Sequence, residues 1–497
     1  MTNRAAANGD QLRYIIIGAG MAGLLAGIRL KERGETNFTI YEKGESVGGT
    51  WRENTYPGLT CDVPAHAYTY SFAYNPEWSS FMAPGPEIRT YFEDMANRYD
   101  VMGHIRFNTE VESCEWRGGQ WHVRTADGQT DKANVLVAAT GVLHHPNYPD
   151  IEGVDDFAGA CFHSARWDHS VPLEGQRIGV IGTGSTGVQI VGALADRAGK
   201  LVQFQRTAQW IMSRPSQDYS EEDRRAFRED PARIEAVRNN PEGAASRDRF
   251  LEAIINPDSP ALDELEGVLV QNLEESVADP VLREKLRPNY RAACKRLIFA
   301  NSYYQAVQKP NVEIETGRIS RIEEKGVRLD DGTLIELDVI VLATGFRPDQ
   351  FVRPMKFIGE GGADLDELWS LVPRAYFAVT VPDFPNMVLL NGPAGPVGNF
   401  SLIDIAEAQW DYFDQLMEPV RRGECTGIAP SMEALDKYDE RRRKAAAKTV
   451  WASGCSSWYI GNDGLPQVWP WSMDYFWDVM SRPDFEDYEM FGKVAAE

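Results

Sequence analysis

The stretch YIIIGAGMAGLLAGIRLKERG (residues 14–34) decides the fold class of this chain. Its apolar start, Tyr14 to Ile17, predicts a parallel strand buried on both faces, and the residues that follow predict a helix ending at Gly34. A GxGxxG turn joins them, and such a turn lets backbone approach a pyrophosphate at a helix N-terminus; its glycines are Gly18, Gly20 and Gly23. A further strand, FTIYEK (38–43), completes a βαβ unit. The stretch therefore predicts a dinucleotide-binding domain.

A second copy of this unit lies further along the chain, in RIGVIGTGSTGVQIVGALAD (177–196). Its turn and the start of its helix contribute four predicted nucleotide-binding residues, which are Gly182, Gly184, Ser185 and Gly187. The next predicted strand is LVQFQRT (201–207). The repeat predicts two dinucleotide sites in one chain.

The residue at the end of the second strand of each unit distinguishes the two cofactors. Glu42 lies 19 positions after Gly23, and Arg206 lies 19 positions after Gly187. An acid there accepts hydrogen bonds from a ribose hydroxyl, whereas an arginine meets a 2′-phosphate. The first unit thus predicts an FAD site and the second an NADPH site supported by Thr207, although Arg206 could instead be a solvated charge at a strand end.

Two similar strings, VLVAATG (135–141) and VIVLATG (339–345), each read as an apolar strand that ends at a small-residue turn. We interpret them as the places where the chain passes from one nucleotide domain to the other. We predict an α/β fold with two Rossmann-like dinucleotide-binding domains and a helical insertion in the NADPH domain. Its boundaries are predicted as an FAD domain over 1–148, a linker over 149–171, an NADPH domain over 172–340 and a return to the FAD domain over 341–497. The insertion covers about 218–290, where Ser220 with Asp223 predicts a capping box and Asp279-Pro280 a helix start.

Composition excludes several classes of partner. The net charge of −23, with only 51 Lys and Arg in 497 residues, argues against nucleic acid and against an anionic membrane surface. The N-terminus has no apolar signal-peptide core, and no apolar run approaches the 18 residues of a membrane span. These features predict a cytoplasmic protein, as a monomer or weak homo-oligomer.

The six cysteines are scattered and show no CxxC motif and no metal-ligand spacing. They are, in order, Cys61, Cys114, Cys161, Cys294, Cys425 and Cys455. We interpret them as buried thiols in a reducing compartment and predict no metal site.

The segment FAGACFHSARWD (157–168), just before the second GxGxxG, resembles the FxGxxxHxxxW(P/D) fingerprint of type I Baeyer–Villiger monooxygenases. The matching residues are Phe157, Gly159, His163 and Trp167. Relatives that oxidise amines and sulfides have Phe or Tyr at the last of these positions, so Trp167 favours the ketone-oxidising branch. The resemblance covers residues 12–480, and it implies that His163 couples the positions of the domains rather than transferring a proton.

Two further segments are similar to the same family. In GGTWRENTYPGLTCDVPAHAYTYSF (48–72) the resemblance implies an FAD site that includes Gly49, Thr50, Trp51 and Asp62, with Asp62 the active-site acid. In CKRLIFANSYY (294–304) it implies that Arg296 is the catalytic arginine and that Lys295 approaches the NADP phosphate. The simpler alternatives are a turn-capping carboxylate for Asp62 and a solvated pair for Lys295 and Arg296.

The C-terminal part resembles the family and then departs from it. A helix predicted near Ser401 would return to the FAD, and SSWYIGNDG (456–464) resembles the mobile loop whose tryptophan, here Trp458, folds onto NADP. The following LPQVWPWSMDYFWD (465–478) has no counterpart in the better-known members. This aromatic cluster is either packing or part of a substrate pocket.

The resemblance implies that NADPH reduces FAD and that O2 then gives a C4a-peroxyflavin, which converts a small-molecule ketone into an ester or lactone, with sulfoxidation as a further reaction. Alternatives are an amine- or sulfide-oxidising flavin monooxygenase, an uncoupled NADPH oxidase and a non-catalytic FAD/NADP-binding redox sensor. A flavin disulfide reductase would need a partner for Cys61, and none stands at suitable spacing. The sequence leaves open whether the ketone is cyclic, linear, aryl or steroidal.

Overall fold

A computed structural model describes residues 12–213, 218–398 and 400–493 of the chain. The strands are, in chain order, β1 (Tyr14–Ile17), β2 (Phe38–Tyr41), β3 (Ile105–Arg106), β4 (Val111–Arg117), β5 (Gln120–Thr125), β6 (Thr130–Ala133), β7 (Val135–Ala138), β8 (Ala160–His163), β9 (Arg177–Ile181), β10 (Lys200–Phe204), β11 (Ile211–Met212), β12 (Ile298–Phe299), β13 (Val312–Glu315), β14 (Ile319–Glu323), β15 (Gly326–Leu329), β16 (Leu334–Glu336), β17 (Val339–Leu342), β18 (Lys356–Ile358), β19 (Met387–Leu389), β20 (Gly427–Pro430) and β21 (Tyr488–Phe491).

The helices are, in chain order, α1 (Met21–Glu32), α2 (Thr50–Glu53), α3 (Gly85–Arg98), α4 (Ser185–Leu194), α5 (Glu221–Glu229), α6 (Ala232–Arg238), α7 (Pro241–Ile255), α8 (Pro260–Ser276), α9 (Pro280–Lys285), α10 (Tyr303–Ala306), α11 (Leu365–Leu368), α12 (Leu402–Leu416), α13 (Glu418–Arg421), α14 (Met432–Ala446) and α15 (Met473–Ser481). Within the described ranges, none of them is both long enough and apolar enough to span a membrane.

The first sheet is parallel and has the order β19-β7-β1-β2-β3. Its central strand β1 is buried at all four positions, because it has neighbours on both edges and is covered on both faces. The strand β19 returns late in the chain to pair with β7, so the first domain is built from two separate parts of the sequence. The sequence analysis predicts such a return of the chain to the first domain.

The second sheet is also parallel and has the order β13-β10-β9-β17-β8. Its edge strand β8 carries the middle of the fingerprint segment, with Ala160 opposite Val339. The structure therefore differs from the predicted linker over 149–171: part of it is a strand of the second sheet, because its backbone groups pair with β17. The predicted boundary after residue 340 likewise falls inside β17.

The predicted helical insertion is present as α5 to α9. Ser220 and Asp223 form the capping box at the start of α5, and the Asp279 side chain caps α9 ahead of Pro280. The first helices of the insertion pack against the first domain, where Arg238 donates to the carbonyl of Thr69 at 2.8 Å. The insertion thus contacts both domains instead of projecting from one.

His66 lies at this contact, 1% exposed, with its ring 4.7 Å from that of Phe227. Neither ring nitrogen has a hydrogen-bond partner among the described residues, and burial lowers the pKa of His66 from 6.5 to about 4. The unfolded chain therefore binds this proton more readily between these pH values. Above pH 6.5 the buried, neutral His66 imposes no cost on the free energy of unfolding. We expect that free energy to fall by about 3 kcal/mol as the pH drops from 6.5 through about 4, because the unfolded chain takes up a proton on this histidine that the folded chain resists.

Urea unfolding from pH 7 to pH 4 measures this loss. The variant His66→Phe should show a shallower dependence on pH than the wild type, whereas His169→Gln, a change at an exposed histidine, should keep the wild-type slope. A His66→Phe curve parallel to the wild type would assign the acid sensitivity to other groups.

The prediction of six thiols is wrong for two of the cysteines. Cys294 and Cys455, 161 positions apart, form a disulfide, while Cys61, Cys114 and Cys425 are buried thiols and Cys161 is half-buried. Spacing along the sequence could not identify the pair, because the fold alone brings the C-terminal loop onto the segment before Lys295.

Candidate functional site

The first nucleotide turn has the geometry that its glycines predict. Gly18 has φ +102°, and a Cβ on Gly23 would lie 1.8 Å from the Gly18 carbonyl oxygen, so neither position has room for a side chain. Gly20 faces Gly49 from the next segment: a Cβ on Gly20 would lie 3.4 Å from the Gly49 Cα. The two glycine backbones therefore pack closely against each other beside the turn.

The second turn repeats this arrangement. Gly182 has φ +125°, and a Cβ on Gly187 would lie 2.4 Å from the Gly182 carbonyl oxygen. A Cβ on Gly184 would meet no atom within 4 Å, so this position opens onto free space. Ser185 is the first residue of α4 and directly follows that opening.

The starts of α1 and α4 fit the phosphates of a dinucleotide. Each helix has a glycine N-cap, no side-chain cap and no acid in its first turn. In contrast, α5, α7, α12 and α14 are capped by Ser or Asn side chains. The free N–H groups and the dipole at a helix start favour an anion. The residues present therefore fit the pyrophosphate of a dinucleotide such as FAD or NADP at each turn.

Glu42 lies at the end of β2 beside the first turn and is 4% exposed. Its carboxylate accepts from the Ala19 N–H at 2.8 Å and from the Gly44 N–H at 2.7 Å, and Arg52 lies 2.9 Å from one oxygen. The structure thus places Glu42 where the sequence predicts a ribose-binding acid. Sequence reasoning missed Arg52, which has no place in the glycine motif.

The predicted flavin-lining residues form a tight turn and the short helix α2. Gly49 has φ +52° and precedes Thr50. Trp51 is 9% exposed, and its indole N–H donates to the Tyr68 hydroxyl at 3.2 Å. This bond fixes the orientation of the indole ring.

Arg206 and Lys295 lie close together at the second site. Arg206 is exposed at the end of the second nucleotide unit, and Lys295 lies over the Tyr290 ring at 4.8 Å. Burial lowers the pKa of Lys295, and the positive charge of Arg206 lowers it further. Within the described part of the chain, neither cation forms an ion pair. Two adjacent unpaired cations suit a phosphate group.

Thr207 follows Arg206 after the end of β10, and its backbone is hydrogen-bonded to the second glycine turn. Its carbonyl accepts from the Thr183 hydroxyl at 2.8 Å, which ties the strand end to the second glycine turn.

Asp62 and Arg296, 234 positions apart in the chain, form a two-pronged ion pair. Nε of Arg296 donates to Oδ2 of Asp62 at 2.7 Å, and Nη2 donates to Oδ1 at 2.8 Å. Burial acts to lower the pKa of Arg296, but attraction to the Asp62 carboxylate outweighs it and raises that pKa. The arginine is therefore a permanent positive charge, held in one orientation by a planar fork.

The segment that carries Asp62 also packs against the second domain. Tyr56 donates to Gln189 on α4 at 2.9 Å, and the Gln189 amide donates to the Thr60 carbonyl at 3.1 Å. Asp62 and Arg296 thus meet where the two nucleotide units contact each other, a common place for a small-molecule site.

The fingerprint residues are packed against or hydrogen-bonded to neighbouring elements. Phe157 and Trp167 are each 9% exposed, and a Cβ on Gly159 would lie 2.3 Å from the Asp338 carbonyl oxygen. His163 donates from Nε2 to the Gly345 carbonyl at 3.0 Å and accepts the Ala165 N–H at Nδ1. Because burial also lowers its pKa, the imidazole is neutral and both nitrogens are occupied. This agrees with a residue that connects elements and does not transfer protons.

Trp458 is 42% exposed and packs against Tyr459, with ring centroids 4.4 Å apart. The C-terminal aromatic cluster is largely packing, since Trp469 and Phe476 are 2% and 0% exposed and contact each other edge-on. Tyr459, which sequence reasoning did not single out, is buried beside Arg296.

Comparison with known proteins identifies the family of this chain. The family described as flavin-binding monooxygenase-like matches residues 11–223. An uncharacterised monooxygenase of Mycobacterium tuberculosis is 44% identical over 475 residues, which cover 96% of this chain and 95% of that protein. A Baeyer–Villiger monooxygenase of Streptomyces coelicolor is 36% identical over 493 residues, which cover 98% of this chain and 94% of that protein.

A solved structure is similar over nearly the whole chain. Cyclohexanone monooxygenase from Rhodococcus sp. Phi1, bound to NADP+, superimposes with a TM-score of 0.86 at 28% identity. The match covers 97% of this chain and 99% of that one. The predicted pair of dinucleotide-binding domains is therefore confirmed.

Proposed function

The chain belongs to the type I Baeyer–Villiger monooxygenases, and we propose that it inserts one oxygen atom of O2 beside a ketone carbonyl. It is an NADPH-dependent flavin monooxygenase that uses FAD. The proposed product is an ester or lactone, formed by the C4a-peroxyflavin route that the family resemblance implies. The observation that carries this proposal is the Asp62–Arg296 pair between the two nucleotide units.

FAD, when bound, supplies the activation of O2 after reduction by NADPH. The proposed role of this chain is to orient both cofactors and to provide a fixed positive charge. Arg296 does this because a guanidinium keeps its charge over the whole working pH range. Negative charge that develops on oxygen during attack on a carbonyl is stabilised most by a charge already in place.

Asp62 is proposed to hold the arginine in position. Its two oxygens engage Nε and Nη2, so the plane of the guanidinium is fixed, and Nη1 donates no hydrogen bond to any of the described residues. Gly49, Thr50 and Trp51 are proposed to line the flavin next to this pair. Flavin and arginine would then act from different domains, so the position of one domain on the other sets the geometry.

NADPH is proposed to bind at the second turn through its pyrophosphate, with the 2′-phosphate on Arg206 and Lys295. The adjacent, unpaired charges of these residues support the choice of NADPH over NADH. Trp458, exposed on its loop, is proposed to cover the nicotinamide side once the coenzyme is bound.

The experiment for this proposal is product analysis on purified protein with FAD, NADPH and air. The panel contains cyclic, linear, aryl and steroidal ketones together with thioethers, and mass spectrometry identifies the products. We expect esters or lactones. Sulfoxides without any ester would place the protein in the sulfide-oxidising branch, and NADPH bound without any consumption would indicate a redox sensor.

A further inference from the structure

Tyr459 carries a buried hydroxyl close to the Asp62–Arg296 pair. The residue is 2% exposed, and its hydroxyl forms no hydrogen bond of normal geometry among the described residues. A buried hydroxyl without a hydrogen-bond partner lowers the stability of the folded state, so the presence of this one needs an explanation. The hydroxyl is therefore a candidate for a role at the site.

The groups around this hydroxyl belong to the site itself. Burial raises the pKa of Tyr459, and the adjacent positive charge of Arg296 acts against that rise. A Cβ on Gly398 would lie 3.8 Å from the hydroxyl oxygen, which places Tyr459 against the backbone just before α12. Asp62 uses only Nε and Nη2 of Arg296, so the guanidinium has a further donor for a neutral oxygen.

The loop that carries Tyr459 is fixed to the segment that carries Arg296. The Cys294–Cys455 disulfide joins the two segments, two residues before Arg296 and four residues before Tyr459. The Tyr459 ring packs 5.5 Å from that of Trp451, and its carbonyl accepts the Gln467 N–H at 2.7 Å. The position of the hydroxyl relative to the guanidinium is thus set by a covalent link and by packing.

We propose that Tyr459 is a positioning residue for Arg296, with its hydroxyl and the Asp62 carboxylate holding the guanidinium from two sides. A phenol suits this task because it is neutral: it restrains the arginine without cancelling the positive charge that the reaction needs. The inference rests on the proposed catalytic role of Arg296 and adds a residue on the C-terminal loop to that role.

The variant Tyr459→Phe tests this, because it keeps the ring and removes only the hydroxyl. We expect kcat for ester formation to fall by about 10- to 100-fold, the range that a small misplacement of a reacting group produces. KM for NADPH and the FAD content should stay at wild-type values, and the share of consumed NADPH that yields hydrogen peroxide should rise.

Tyr438→Phe is the matched control. Among the described residues the buried Tyr438 hydroxyl likewise has no hydrogen-bond partner, and its charged neighbours are Arg442 and Asp439, which form an ion pair with each other. This variant should keep the wild-type kcat. Equal kcat values for Tyr459→Phe, Tyr438→Phe and wild type would overturn the inference while leaving ester formation by the wild type, and hence the proposed function, intact.

A second readout does not depend on activity. Urea unfolding of Tyr459→Phe, Arg296→Ala and the double variant, without substrate, measures the coupling of the two side chains. We expect the shift of the midpoint in the double variant to be clearly smaller than the sum of the single shifts. Strict additivity would contradict the contact, even if no ketone in the panel proves to be a substrate.

Discussion

Arg296→Ala is expected to lower ester formation by at least about 10²- to 10³-fold, the loss seen when one preorganised group that stabilises an oxyanion is removed. FAD should stay bound, since the first glycine turn and Glu42 lie in the other nucleotide unit. NADPH oxidation should continue and yield hydrogen peroxide in place of ester. Mass spectrometry of the product and the flavin absorbance spectrum measure both effects.

Arg291→Ala is the control for this change. Arg291 lies on the same segment and also pairs with carboxylates, Glu266 at 2.7 Å and Asp263 at 2.8 Å, but it is 43% exposed. It should retain the wild-type rate of ester formation. Ester production by Arg296→Ala at the level of Arg291→Ala would remove Arg296 from the mechanism.

Arg206→Ala is expected to change coenzyme selection. Hydrogen bonds to a charged group contribute about 1.5–3 kcal/mol, which corresponds to roughly a 10- to 100-fold increase in KM for NADPH. KM for NADH should change little, because NADH has no 2′-phosphate. Initial rates with both coenzymes, at saturating O2 and one ketone, give the two values.

Arg197→Ala serves as the control here. Arg197 precedes β10, at the opposite end of this strand from Arg206, and pairs with Glu174 at 2.7 Å. It should leave both KM values unchanged. Equal increases for NADPH and NADH in Arg206→Ala would refute the 2′-phosphate assignment.

The parts of the fold that depend on local backbone chemistry could be predicted from the sequence. Gly18 and Gly182 need positive φ, and Gly23 and Gly187 have no space for a Cβ, so the motif reports the geometry directly. The helix caps at Ser220 and Asp279 could also be predicted, because each cap joins residues only two or three positions apart in the sequence. The meeting of Asp62 with Arg296 followed from the family resemblance and not from any pattern in the residues.

The remaining features depend on contacts between distant parts of the chain. Cys294 and Cys455 carry no signal of their pairing, and β8 becomes a strand only because β17 is available as a neighbour. Arg52 and Tyr459 reach the site through packing of segments whose order in the sequence says nothing about their distance in space. Three-dimensional contacts therefore add the groups that support the predicted residues.

Incorporation of oxygen from ¹⁸O2 tests the central claim most directly. The wild-type protein is incubated with FAD, NADPH, ¹⁸O2 in ordinary water and a ketone that it converts, and the product is fragmented in a mass spectrometer. The account predicts one ¹⁸O atom per ester or lactone, located in the bridging oxygen and not in the carbonyl. Unlabelled product, or label in the carbonyl alone, would contradict insertion of an oxygen atom from O2 beside the ketone.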